Sequence, residues 1–330
     1  MLYIVLMLIL LLPTLAGLGA TLTKISGGYS QKIAVQILSG IFLVSVIFTG
    51  LAFFIPLNIY VEIGTLLIGT TAFFYFKINL EFWNFVSQNS IAFLSISLLI
   101  IFFGSYYPFI LDHFGYYVPT IKWLSEIGLV QGISNLDLLL GQNSLWHIFQ
   151  AGFSNFSDPF LRLNVLVLIT YLIYVLEQKT WIHLAFFPVL FLLTQSPSAD
   201  LPAIVFSLIV LNEVFNSTRN LPFIFAVSVF VVAVKPTMIW LPILVSLYGF
   251  VVLKNNYKFF IPGILLFLLF VFKNIWTFGF PIFPVQLIDL GFSWRPNADL
   301  LFNSSKVAIM KTYDMQYSYE EIQQFSRIDY

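Results

Sequence analysis

The chain has 330 residues, with 15 Lys and Arg against 15 Asp and Glu, so its formal net charge is zero. Hydrophobic residues make up 59% and charged residues only 9%, and the mean hydropathy is +0.93. A soluble domain carries about a quarter charged residues, so this chain cannot cover a water-facing surface. The charge balance excludes the basic face that nucleic-acid binding needs, and the absence of cysteine excludes a disulfide framework or a thiolate metal site.

The composition reads as an all-α polytopic membrane protein. Ten apolar windows suit a bilayer core: 2–20, 33–55, 59–76, 90–107, 161–177, 181–195, 199–215, 221–235, 237–253 and 259–275. Helices are the expectation, because backbone polar groups must pair within their own segment in lipid and no alternating barrel pattern occurs. The first window resembles a signal peptide but lacks a basic flank, so it reads as the first transmembrane helix.

Lys24 and Lys32 share one loop, Lys77 lies in another, and Lys179, Arg219 and the pair Lys254 and Lys258 mark three more. Ten alternating spans put all five loops on one side, which the positive-inside rule makes cytoplasmic. The opposite side then receives residues 105–160, the 196–200 turn, the 235–237 turn and the C-terminal segment. The parse is one membrane domain, 1–279, with a large outer loop at 105–160, followed by an outer-face segment, 280–330.

Within the outer loop, residues 119–130 begin with Pro119, a good first-turn residue, and repeat Ile121, Leu124 and Ile127 at helical spacing. Residues 143–152 form a second expected helix, with Asn143 or Ser144 as N-cap and Gly152 as stop. Both are expected to lie along the membrane.

Polar residues at the outer side converge from separate windows. Asp112 opens the loop, with Tyr116, Tyr117 and Lys122 close behind it. Asp200 starts a later window, Lys235 ends another, and Lys273 with Asn274 ends a third. Lysines hold phosphate oxygens by charge-assisted hydrogen bonds, and a carboxylate can serve as general base toward a hydroxyl. Simpler readings stand beside these. Asp200 fits a helix N-cap, Lys235 and Lys273 fit snorkelling lysines, and Asp112 fits a hydrated loop residue. Asp137 and Asp158 read as loop and turn residues. Glu62 and Glu213 receive no role. His113, His147 and His183 lack a metal-ligand spacing.

Three stretches carry a family resemblance: DHFGYYVPTIKWLSEIGLVQGISNL after a span, SPSADLPA at the start of a later helix, and KNIWTFGFPIFP at the end of another. Together they resemble a bacterial branch of the GT-C superfamily of polyprenyl-phosphate-sugar-dependent membrane glycosyltransferases. The resemblance implies a GT-C-like fold with a large outer loop containing membrane-parallel helices. It implies a catalytic Asp at Asp112. It places Asp200, Lys235, Lys273 and Asn274 at substrate-binding positions, and Tyr116, Tyr117 and Lys122 beside them. The chain departs from the pattern where Tyr117 stands for a His, where the Gly is shifted to Gly115, and where His113 replaces a second acidic residue. The resemblance also implies further spans beyond Tyr330, against which this chain is short.

The function so implied is transfer of a sugar from a lipid-linked phosphate donor to a glycan, lipid or protein acceptor. It would take place at the outer face of a bacterial cytoplasmic membrane, with membrane lipid around the protein and no nucleic acid as partner. The resemblance implies no definite cofactor and leaves room for a divalent metal. Two rivals remain: a transporter or flippase of a lipid-linked or anionic solute, which needs polar residues across the whole bilayer, and a non-catalytic relative.

Overall fold

A computed structural model describes residues 1–26, 32–216, 220–254, 257–285 and 288–325. Arg219, one of the loop cations invoked for orientation, lies outside the described residues, as does Tyr330. The described residues are helical, with one isolated antiparallel bridge between Ile282 and Val285. They divide into two compact units: residues 1–129 with 143–271, and residues 130–142 with 272–330.

The first unit opens with α1 (Leu2–Ile25), α2 (Ile33–Ala52) and α3 (Ile59–Tyr75). Their contact depends on glycine. A Cβ on Gly19 would overlap the Gln36 carbonyl, one on Gly40 the Leu15 carbonyl, and one on Gly17 the Gly69 carbonyl. Small residues let helix backbones approach where lipid supplies no hydrophobic drive between helices. The next helix, α4 (Ile78–Gly104), begins well before the apolar window at 90. The polar stretch before that window continues the helix to a kink at Asn89, whose side chain donates to the Phe85 carbonyl at 3.0 Å.

The outer loop yields α5 (Val118–Glu126) and α6 (Leu145–Ala151). Ser144 caps α6 through a reciprocal box with His147, and Gly152 closes it. All seven residues of α6 are buried, packed against α2 and α5. It is a core element of the first unit. Two of its donors are satisfied there: the Trp146 indole donates to Asn164 at 3.0 Å and the Gln150 amide to the Pro197 carbonyl at 3.4 Å.

Then come α7 (Leu163–Gln178), α8 (Phe187–Phe191), α9 (Asp200–Phe215), α10 (Leu221–Val234) and α11 (Trp240–Leu247). The window at 181–195 forms a 3₁₀ segment, Trp181–Phe186, leading into the five residues of α8. The window at 237–253 is likewise broken, with 3₁₀ turns before α11 and a π-helical turn after it. The last long helix, α12 (Ile261–Phe278), follows. Helical segments therefore occupy all ten windows. Four stretches are long and apolar enough to cross a membrane: Leu2–Ile25, Ile33–Ala52, Ile78–Gly104 and Tyr257–Phe278.

The first unit has two chemically different ends. At one, Lys32 donates to Gln178 at 2.7 Å, Glu177 accepts from the amides of Ile33 and Ala34, and Lys24 lies over the Phe76 ring at 4.6 Å. At the other, Glu62 accepts from the amides of Asn155, Phe156 and Ser157, and Tyr3 donates to the Phe156 carbonyl. The loops bearing Lys24, Lys32, Lys77 and Lys179 meet at the first end, which is here called the basic end. Residues 112–129 and 143–162 and the 193–200 turn meet at the second.

The second unit joins residues 130–142 to the C-terminal stretch. Gly132 donates its amide to the Trp276 carbonyl at 3.3 Å, and the Trp294 indole donates to the Ile275 carbonyl at 2.9 Å. Phe278, Phe280 and Leu301 form its core, with Leu138 and Phe283 packed against them. It holds α13 (Ala298–Thr312), capped by Asn297, and α14 (Tyr319–Ile322), capped by Ser318 and Glu321.

Candidate functional site

The site is built on the turn between α8 and α9. Asn164, fully buried in the first turn of α7, spreads its amide over three carbonyls of that turn: Leu193 at 3.0 Å, Ser196 at 2.7 Å and Ser198 at 3.0 Å. Its own oxygen receives the Trp146 indole. The Arg162 guanidinium donates to the Gln195 carbonyl and Gln150 to that of Pro197. Four consecutive carbonyls, from Gln195 to Ser198, thus have side-chain donors. A buried turn needs this, because unpaired carbonyls there would each cost free energy.

This clamp presents Asp200. The N-cap position belongs to Ala199, with no side-chain cap, so Asp200 is the first residue of α9 and not its N-cap. The Ser198 hydroxyl donates to one oxygen of Asp200 at 2.7 Å and accepts from the Asp200 amide at 3.1 Å. The other oxygen forms an ion pair with the Lys235 ammonium. Lys235 ends α10 in an extended conformation before Pro236, which bars further helix. Lys235 is therefore held by Asp200. Both side chains are 38% exposed, so the pair is open to a ligand on one side.

Asp112 precedes a π-helical turn, His113–Tyr117, that leads into α5. It is exposed, and its side chain has no hydrogen bond or ion pair among the described residues. The next residue ties this turn to the clamp: His113 Nδ1 lies 3.2 Å from the Ser196 hydroxyl. Burial, reinforced by the Arg162 charge, lowers the His113 imidazole from 6.5 to about 4, so it is neutral at physiological pH. Tyr116 and Tyr117 pack together at 4.4 Å, and Tyr117 contacts His147 at 5.2 Å. The Tyr116 phenol is raised, chiefly by burial and then by Tyr117 and Asp112. Lys122 is exposed and sits 3.9 Å from Glu126, a surface pair of small energetic weight.

Lys273 and Asn274 belong to the second unit. Lys273 is 2% exposed, and Asn274 donates to the Pro281 carbonyl at 2.9 Å. Asp137 is a loop residue that accepts from the Leu139 amide at 2.9 Å. Asp158 turns the chain, as expected, through its carbonyl and the Leu161 amide. Its carboxyl, however, is fully buried. Burial pushes it up to about 8, opposed by the nearby amides of Arg162 and Leu163 and by the Arg162 charge. Among the described residues no group of three or more His, Asp or Glu is placed to hold a metal ion.

Sequence reasoning passed over Asn164, Arg162, Ser196 and Gln150. One signal was available for Asn164: a lone amide inside an apolar window, which in a membrane protein demands a partner.

The whole chain, residues 1–330, matches the family model described as a domain of unknown function, DUF8201. The chain belongs to this family. No curated protein and no solved structure matches it. In this DUF8201 chain the chemistry on offer is an acid paired with an ammonium, held rigidly by buried groups and open on one side. An ammonium so held can exchange its carboxylate partner for a phosphate oxygen.

Proposed function

We propose that the protein is a membrane glycosyltransferase whose helical segments form about ten membrane crossings. It takes a sugar from a polyprenyl-phosphate-linked donor and passes it to a glycan, lipid or protein acceptor. The work is done at the outer face of a bacterial cytoplasmic membrane, the face bearing the 193–200 turn. The reading rests on one observation above the rest: the half-open Asp200–Lys235 pair on a clamped turn.

In this reading the donor phosphate displaces Asp200 from Lys235, which then neutralises charge on the leaving oxygen. Asp112, exposed and without a side-chain partner, takes the proton from the acceptor hydroxyl. The acceptor oxygen bonds to the sugar C1 as the C1–O bond to phosphate breaks. The electron pair stays with the departing polyprenyl phosphate. Half-buried Tyr116 offers a face on which a sugar ring can stack, and buried Tyr117 backs it.

Polyprenyl-phosphate binding to the purified full chain, followed by native mass spectrometry, tests the reading. Lys235→Met should lose binding, whereas Asp112→Asn should keep it and abolish glycan transfer in cells. Unchanged surface glycans in the Asp112→Asn strain, at normal protein levels, would refute it.

A further inference from the structure

At the basic end a cavity of about 270 Å³ lies among α1, α2, α7, α9 and α10. Its lining is mixed, with Leu38, Val210, Ile224 and Val227 among the apolar residues and Thr23, Ser26 and Asn220 among the polar ones. Lys32, Gln178, Tyr174 and Glu213 of this lining form one directed network. Lys32 donates to the Gln178 amide oxygen at 2.7 Å, and the Gln178 amide donates to Glu213 Oε1 at 3.2 Å. The Tyr174 hydroxyl donates to the same oxygen at 2.9 Å, and Asn212 donates to the Tyr174 hydroxyl at 2.6 Å. Every donor in the chain points toward one carboxylate.

Two features go beyond what helix packing needs. First, the contacts from Tyr174 and Gln178 both fall on Glu213 Oε1, and Glu213 itself lines the cavity. Second, an ammonium and a carboxylate stand one amide side chain apart on the cavity lining.

We propose that this cavity binds the headgroup of a phospholipid carrying a primary ammonium two carbons from its phosphate, that is, a phosphatidylethanolamine. Glu213 accepts hydrogen bonds from the ammonium, Lys32 attracts the phosphate, and the apolar residues of the lining take the first methylenes of the acyl chains. An anionic lipid lacks the cation that Glu213 requires. A quaternary choline carries the charge but has no N–H to donate. The site is independent of the proposed sugar transfer and lies at the opposite end of the unit.

The test uses the full-length protein in detergent and native mass spectrometry with lipids of matched chains. The probes are phosphatidylethanolamine, its mono- and dimethyl forms, phosphatidylcholine and phosphatidylglycerol. Retention should fall stepwise with methylation, by about tenfold across the series, since one or two charge-assisted hydrogen bonds are lost. Glu213→Gln should erase the discrimination, and Lys32→Gln should weaken the ethanolamine and choline lipids alike. Free phosphoethanolamine should not displace the lipid at equal concentration. Equal binding of the ethanolamine and choline lipids by the wild type would overturn the proposal without recourse to any variant. So would preference for the glycerol lipid, or equal binding of free phosphoethanolamine.

Discussion

Asn164 is the residue on which the candidate site stands, and Asn164→Leu tests that. The substitution keeps the volume and removes all polar reach. The native amide has two protons to share among three carbonyls, so about two net hydrogen bonds disappear, at about 1 kcal/mol each. The fully buried Trp146 indole also loses its acceptor, which adds about 1–3 kcal/mol for an unsatisfied donor. The expected loss is about 3–5 kcal/mol, measured by reversible unfolding in mixed micelles with increasing denaturing detergent. Trp146→Phe removes the stranded donor, so the double variant should be less destabilised than the two single losses added, by about 1–2 kcal/mol. A single-variant loss below about 1 kcal/mol, or strict additivity with Trp146→Phe, would refute the clamp.

Lys235→Met should cost less than about 1 kcal/mol, because both partners are 38% exposed and solvent already screens the pair; a large loss of melting temperature would make it a structural rather than a binding group. The pH response has opposing parts. Asp158, raised from 3.8 to about 8, contributes stability that is lost as pH rises from about 4 through about 8, since the folded state keeps a proton the unfolded state has released. His113, lowered from 6.5 to about 4, contributes stability that is present above 6.5 and lost as pH falls toward about 4. Between about 4 and 6.5 these two slopes oppose each other, and above 6.5 the His113 contribution is complete while that of Asp158 continues to fall. Asp158→Asn should therefore flatten the melting-temperature profile between pH 6.5 and 8, and a slope that persists in the variant would assign it elsewhere. Gly19→Leu should separate α1 from α2 and cost at least about 2 kcal/mol, because its Cβ would meet backbone. Gly50→Ala, with open space around it, should leave stability unchanged or slightly raised, and equal losses at the two sites would contradict the packing account.

Much of the local structure was legible because it rests on short-range physics. Pro119 at the start of α5, and Ser144 and Gly152 around α6, read correctly, since caps and first-turn prolines act within a few residues. The windows at 181 and 237 read as uninterrupted spans and are not. Hydropathy counts apolar residues without asking whether Pro188, Pro236 and Pro242 let the helix run on. The polar run from Glu81 to Asn89 fell outside the apolar windows for the converse reason: its residues are helix-compatible, and only their mean hydropathy is low.

The membrane-protein class, the helical content and the separation of lysine-bearing loops from the loop-rich end were determined by composition and by the order of charges along the chain. A bilayer enforces these on any sequence this apolar. The site residues were only candidates at that level. The ion pair between Asp200 and Lys235 spans 35 positions, and the contact of His113 with Ser196 spans 83. Partners so far apart meet only when whole helices pack. Tertiary structure alone decided that α6 is core, that Asp200 is paired and does not cap its helix, that Asp158 is buried and Asp112 exposed. Burial and hydrogen-bond partnership belong to neighbours in space, and no local window of the chain contains them.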